Sequence, residues 1–166
     1  MHAVDIYRDN GTVDFRLIAQ FELSKNIKLP ESYKELLTAH DALRPEKEMF
    51  RFLNSFSATH FWPYKIENGL DARDISFFGF GTELDDYKKI GWNQDFDVFG
   101  HDHVIAFGRS ANGDYICFDY RHDPSTSEPH VVVMFHDAYD EKRKMLICHV
   151  ANSFEEFMDS LYKSDD

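Results

Sequence analysis

The 166-residue chain is poor in cysteine, proline and basic side chains, and it has no long apolar run. Its two cysteines, Cys117 and Cys148, exclude a disulfide framework and a four-thiolate zinc site. No apolar stretch approaches the ~18 residues that a membrane span needs. The first fifteen residues, MHAVDIYRDNGTVDF, lack the basic and apolar regions of a secretory signal. These absences predict a cytoplasmic protein with free, mostly buried thiols. Only 18 bases face 30 acids, for a net charge of −12. That balance disfavours direct binding to nucleic acid or to an anionic membrane, since both need a basic surface. It suits either plain solubility or a basic partner steered by a negative field.

What the chain has in excess is rings. Sixteen Phe, eight Tyr and two Trp make 16% of the sequence, which implies a core or an interface built from aromatics. The length fits one domain that can bury a sizeable core.

Residues 1–12 are polar, end in Asn10-Gly11 and predict a flexible N-terminal arm; residues 13–163 form one domain. Phe15, Ile18 and Phe21 sit at helical spacing between Asp14 and Lys25. After Leu29-Pro30, the stripe Tyr33, Leu36, Leu37, His40 predicts a second helix, with Pro30 and Glu31 suited to its start. Met49 to Phe52 fits a strand or a helical turn, and Phe61-Trp62-Pro63-Tyr64 an extended segment. Ile75 to Phe80 reads as a strand, followed by a helix from an N-cap at Thr82 to Ile90.

Strands follow at Val104 to Gly108, Tyr115 to Tyr120, Val131 to Phe135 and Lys144 to Val150. Asn112-Gly113 marks a hairpin between the first two, and Arg121 to Pro129 a surface loop. Ser153 to Glu156 is a capping box that opens a terminal helix with Phe154, Phe157, Met158 and Leu161 on one face. Helices, then strands, then a helix, with no βαβ alternation, predict an α+β fold. Its sheet should be mainly antiparallel or mixed, of about four to six strands, with the N-terminal helices and the C-terminal helix packed on it.

The ordered set of segments Leu29 to Leu37, Val104 to Gly108, Asn112-Gly113-Asp114 with Ile116 and Phe118-Asp119, Val131 to Val133, and Val150 to Phe157 resembles the SUKH superfamily. That superfamily groups fungal cell-wall assembly regulators with bacterial toxin-immunity proteins. The resemblance covers residues 15–162. Where the family usually places Asn-Gly after the Leu-Pro helix, this chain has His40-Asp41-Ala42. The resemblance implies a non-enzymatic protein without a cofactor. It implies a partner that is the toxin domain of a polymorphic or contact-dependent system, many of those toxins being nucleases, and the acidic chain suits a basic one.

The expected partner-binding face is the acidic, aromatic stretch that carries Glu83, Asp85, Asp86, Tyr87, Trp92, Asp95, Phe96, Asp97 and Asp102. Carboxylates around exposed rings give a polar rim and aromatic anchors; if the rings point inward, the same stretch is only a solvated loop. Two other classes compete. One is a regulatory protein-interaction scaffold like the fungal relatives. The other is a small hydrolase or metal enzyme built on His101-Asp102-His103, whose two imidazoles would share a face if that stretch were a strand, with His60, His122 or His136 joining. Cys148-His149 cannot readily form a thiol-imidazole pair, because neighbours on a strand point to opposite faces. Gly79-Phe80-Gly81 lacks the third glycine of a dinucleotide fingerprint. Oligomeric state is left open by the sequence.

Overall fold

The computed structural model describes residues 1–56 and 69–165. The aromatic Phe61–Tyr64 segment lies outside them. The chain runs β1 (Ile6–Arg8), α1 (Phe15–Lys25), α2 (Glu31–Ala39), β2 (Arg44–Pro45), β3 (Met49–Leu53), β4 (Leu70–Asp74) and β5 (Ser76–Phe77). It continues through α3 (Phe96–Phe99), β6 (Val104–Arg109), β7 (Tyr115–Asp119), β8 (His130–Tyr139), β9 (Met145–Ala151) and α4 (Phe154–Asp159). The fold is α+β. A five-stranded antiparallel sheet has the order β5-β6-β7-β8-β9, and two antiparallel pairs, β1-β2 and β3-β4, flank it.

Local chemistry explains most of these boundaries. Asp14 caps α1 by accepting from Arg16 N, and Ser153 caps α4 by accepting from Glu156 N at 3.1 Å. The β6–β7 hairpin closes through Ser110 N donating to Asp114 O, with Gly113 at φ +96°, a value that glycine adopts without strain. β7 has three successive buried residues, Ile116, Cys117 and Phe118, and β8 five from Val131 to Phe135. Both strands are therefore covered on both faces. Helix α4 packs on β8 and β9, and α1 and α4 both touch α2.

The rings fill the core. Tyr33 on α2 is fully buried and meets Phe77, Phe80, Phe107, Phe118 and Phe154, with ring centroids 5.0–6.4 Å apart. Phe107 and Phe118 stack across the hairpin at 4.1 Å.

Three segments take local structure that the sequence leaves open or reads otherwise. Residues 1–12 carry a strand: β1 pairs with β2, Asn10 N donates to Asp41 O, Asp41 N donates to Gly11 O, and Asp9 meets His40 at 2.6 Å. No α-helix forms from Thr82 to Ile90; the segment folds into 3-10 turns at Asp86–Lys88 and Gly91–Asn93. Gly79 N donates to Lys88 O and Ile90 N to Gly79 O, and these two bonds take the groups a helix would use. His101–His103 is not a strand either. Gly100 turns the chain at φ +75° against Lys144, and β6 begins only at Val104.

Asp41 explains Gly79-Phe80-Gly81. Its carboxylate accepts from Phe80 N at 2.8 Å and Gly81 N at 2.9 Å. A Cβ on Gly79 or Gly81 would lie 2.7 or 2.8 Å from that carboxylate. The glycines permit this close approach.

Ala42, next in the chain, sits at φ +51°. A left-handed alanine costs about 1–3 kcal/mol, and glycine's extra freedom in the unfolded chain returns less than that. Ala42→Gly is expected to raise stability by about 1 kcal/mol, read as a higher urea midpoint at constant m.

Candidate functional site

The stretch from residue 83 to 102 is held to the fold by a few inward groups. Ile90 and Phe99 are buried. Gln94 stands in for a strand partner: its Nε2 donates to Ala106 O at 2.7 Å and to Ile90 O at 2.9 Å, and its Oε1 accepts from Ala106 N at 3.0 Å. It does this beside the register shift of β6 against β7 between Ala106 and Gly108. Asn93 Nδ2 donates to Lys89 O and Tyr87 O, which tightens the two 3-10 turns.

With those anchors inside, the other side chains turn outward. Tyr87 is 54% exposed and Trp92 67%. Glu83, Asp85, Asp86, Asp95, Asp97 and Asp102 are all exposed as well. Phe96 is half-buried, 6.4 Å from the Phe99 ring, and lies under Lys25 Nζ at 5.1 Å. The alternative of rings pointing inward therefore holds for Phe99, in part for Phe96, and not for Tyr87 or Trp92. Asp95 has a second task, since its Oδ1 accepts from Val98 N and caps α3. Asp86 pairs with Lys89 at 3.5 Å.

His101 and His103 do not converge on a shared site, and the His130 and His149 rings meet edge-on at 5.1 Å across β8 and β9. His101 Nε2 lies 2.9 Å from Met145 O, while His103 is exposed and its carbonyl accepts from Tyr120 N. Without a strand there, the two imidazoles lose the geometry that would have paired them. His60 lies outside the described residues. Cys148 is buried and its neighbour His149 exposed, as strand alternation requires. Burial pushes the Cys117 and Cys148 thiols up, which makes both poor nucleophiles.

The densest polar cluster is one the sequence concealed. Arg73 on β4 donates from Nη1 to Asp71 at 2.7 Å and from Nε to Asp114 at 2.9 Å, and all three side chains are about 2% exposed. Asp71 also accepts from Asn54, and Asp114 from Asn112 and from His136 N. His136 Nδ1 approaches Asp114 at 2.6 Å. Burial pushes the Asp114 carboxyl up, but the bonds with His136, Arg73 and Asn112 outweigh it and hold the carboxyl below the usual range. Asp114, His136 and Asp137 lie close enough together to hold a cation. Asp114, however, already serves the guanidinium, the amide and the imidazole, so the cluster serves as a tie between the β3-β4 pair and the main sheet.

No described helix is long and apolar enough to cross a membrane. A family model described as SMI1 / KNR4 family (SUKH-1) matches residues 12–160. No curated protein gives a significant match.

Proposed function

The chain belongs to the SMI1/KNR4 family (SUKH-1), and from that premise we propose that it is a non-catalytic immunity protein. In this reading it acts in the cytoplasm, binding a basic toxin domain, of nuclease type, and occluding its active site. The observation that supports it is the pairing of exposed Tyr87 and Trp92 with a fringe of exposed carboxylates. Such rings anchor interfaces because they bury large area with little loss of rotamer freedom. Carboxylates can occupy the places where a nuclease holds phosphates, and a −12 charge speeds capture of a basic partner.

The test is calorimetry with the toxin domain encoded beside this chain. Trp92→Ala is expected to weaken binding by about 30-fold, as loss of a hot-spot ring does. Asp85→Lys with Asp97→Lys is expected to slow association about tenfold at low salt and less at high salt. Asp95 is the poorer probe because its loss also uncaps α3. No complex with the toxin domain would overturn the function, and unchanged affinity in these variants would overturn the surface.

A further inference from the structure

We propose that a cleft between β1, β2, β5 and the end of β6 is a binding site for a small polyphosphate, of the size of pyrophosphate or a nucleoside diphosphate. The cleft measures about 540 Å³ and is lined by Arg8, Arg44, Lys88 and Arg109 together with Asp9 and Asp74. That volume is in the usual range of small-ligand sites, roughly 300–1,000 Å³. Four cations gathered there are an anomaly in a chain that has 18 bases against 30 acids.

The charges in the cleft do not cancel. Asp9 is taken by His40 and by Gly11 N. Asp74 is taken by Arg44 at 3.3 Å and by Ala111 N at 2.9 Å. Arg8, Lys88 and Arg109 have no ion-pair partner among the described residues. Arg8 is moreover the register partner of Arg44 across β1-β2. Like charges placed opposite each other on neighbouring strands repel, and an anion held between them removes that penalty.

The remaining groups suit phosphate oxygens. Arg44 Nη1 donates to Ser76 Oγ at 2.8 Å, which leaves the Ser76 hydroxyl proton free to donate into the cleft. The Tyr87 ring lies 5.6 Å from the Arg109 guanidinium and 5.8 Å from Lys88 Nζ, so it steadies both. Four cations against two carboxylates leave the cleft two positive charges in excess, which calls for more than the single charge of a carboxylate. A diphosphate supplies that charge within a small volume, and guanidinium forks match its oxygens.

The cleft borders the proposed toxin surface at Tyr87, but its test uses the chain alone and so succeeds or fails independently of that reading. Titration calorimetry at low ionic strength with inorganic pyrophosphate should give saturable one-to-one binding that weakens steeply with added salt. Arg8→Ala and Arg109→Ala, both at exposed positions, should each weaken it by about tenfold, the loss typical of a charge-assisted bond. Lys88→Ala should act in the same direction. ADP binding as tightly as pyrophosphate would also support the site. No saturable heat, equal affinity for succinate, or unchanged affinity in the Arg8→Ala/Arg109→Ala double variant with an unaltered circular dichroism spectrum would overturn it.

Discussion

Replacing Arg73 by methionine is expected to remove about 3–5 kcal/mol of stability, the usual result of breaking a buried ion pair from one side. Methionine keeps the apolar contact with the Phe52 and Phe135 rings, over which the guanidinium now sits at 5.5 and 5.7 Å. It supplies no donor, so Asp71 and Asp114 stay in the interior with their charge uncompensated. Asp71 keeps Asn54, and Asp114 keeps Asn112 and His136, which is why the loss stays below the full cost of two naked carboxylates. Urea denaturation followed by Trp fluorescence measures it as a lower midpoint at unchanged m. The pH dependence separates this cause from a packing defect. Asp114 has a folded pKa below its unfolded value of 3.8. The stability it contributes is therefore present above that value and is lost as pH falls through the folded pKa. The gap between Arg73→Met and the parent should accordingly narrow below pH 3.8. A gap that is constant down to complete acid unfolding would assign the loss to packing. Changing Asp71 and Asp114 to leucine in the Arg73→Met background should recover part of the stability, because the charges are then removed together.

Asp41→Ala is expected to cost about 2–4 kcal/mol, since it strands the Phe80 and Gly81 amide protons in or near the core. Those two bonds fix the chain as it leaves β5, and the backbone of Asp41 also holds Asn10 and Gly11. Loss of the side chain thus loosens the entry to the 83–102 surface from below. Asp41→Asn retains one acceptor oxygen and should lose only about half as much. The pH sign is opposite to that of Asp114. Burial pushes the Asp41 carboxyl up, against the backbone bonds that pull it down. Its unfolded form therefore ionises first as pH rises, and Asp41 subtracts stability between 3.8 and its raised folded pKa. The disadvantage of Asp41→Asn should consequently be smaller at pH 7 than at pH 3.5, measured by thermal unfolding at the two values. A difference in the other direction would mean that the two amide bonds outweigh the desolvation.

Legibility from sequence followed the strength of local chemistry. Asn112-Gly113, the Ser153–Glu156 box and the Tyr33–Leu37 stripe each encode their own geometry within a few residues, and each stands where it was expected. The Thr82–Ile90 helix failed because its outcome is decided by backbone bonds from Gly79, outside the segment, to Lys88 and Ile90, which no periodicity reports. Arg73 and Asp71 were hidden for a different reason. In Leu70-Asp71-Ala72-Arg73-Asp74 the alternating inward positions are the charged ones, so the pattern inverts the rule that apolar side chains face the core. Outward placement of Tyr87 and Trp92 was legible only as a possibility, because aromatic composition is the same whether rings fill a core or face solvent. Gln94 carried no signal at all, since an amide that completes a strand has no spacing of its own.

Gln94 also divides labour within the surface stretch. With its amide locked to Ala106 and with Ile90 and Phe99 buried, three side chains hold the segment. Glu83, Asp85, Trp92 and Asp97 hold nothing up, and exchanges at such exposed positions typically shift stability by only about 0.5 kcal/mol. Substitution can therefore change the outward residues while the scaffold stays as it is. A lineage of these chains should drift fastest at those four places and slowest at Gln94.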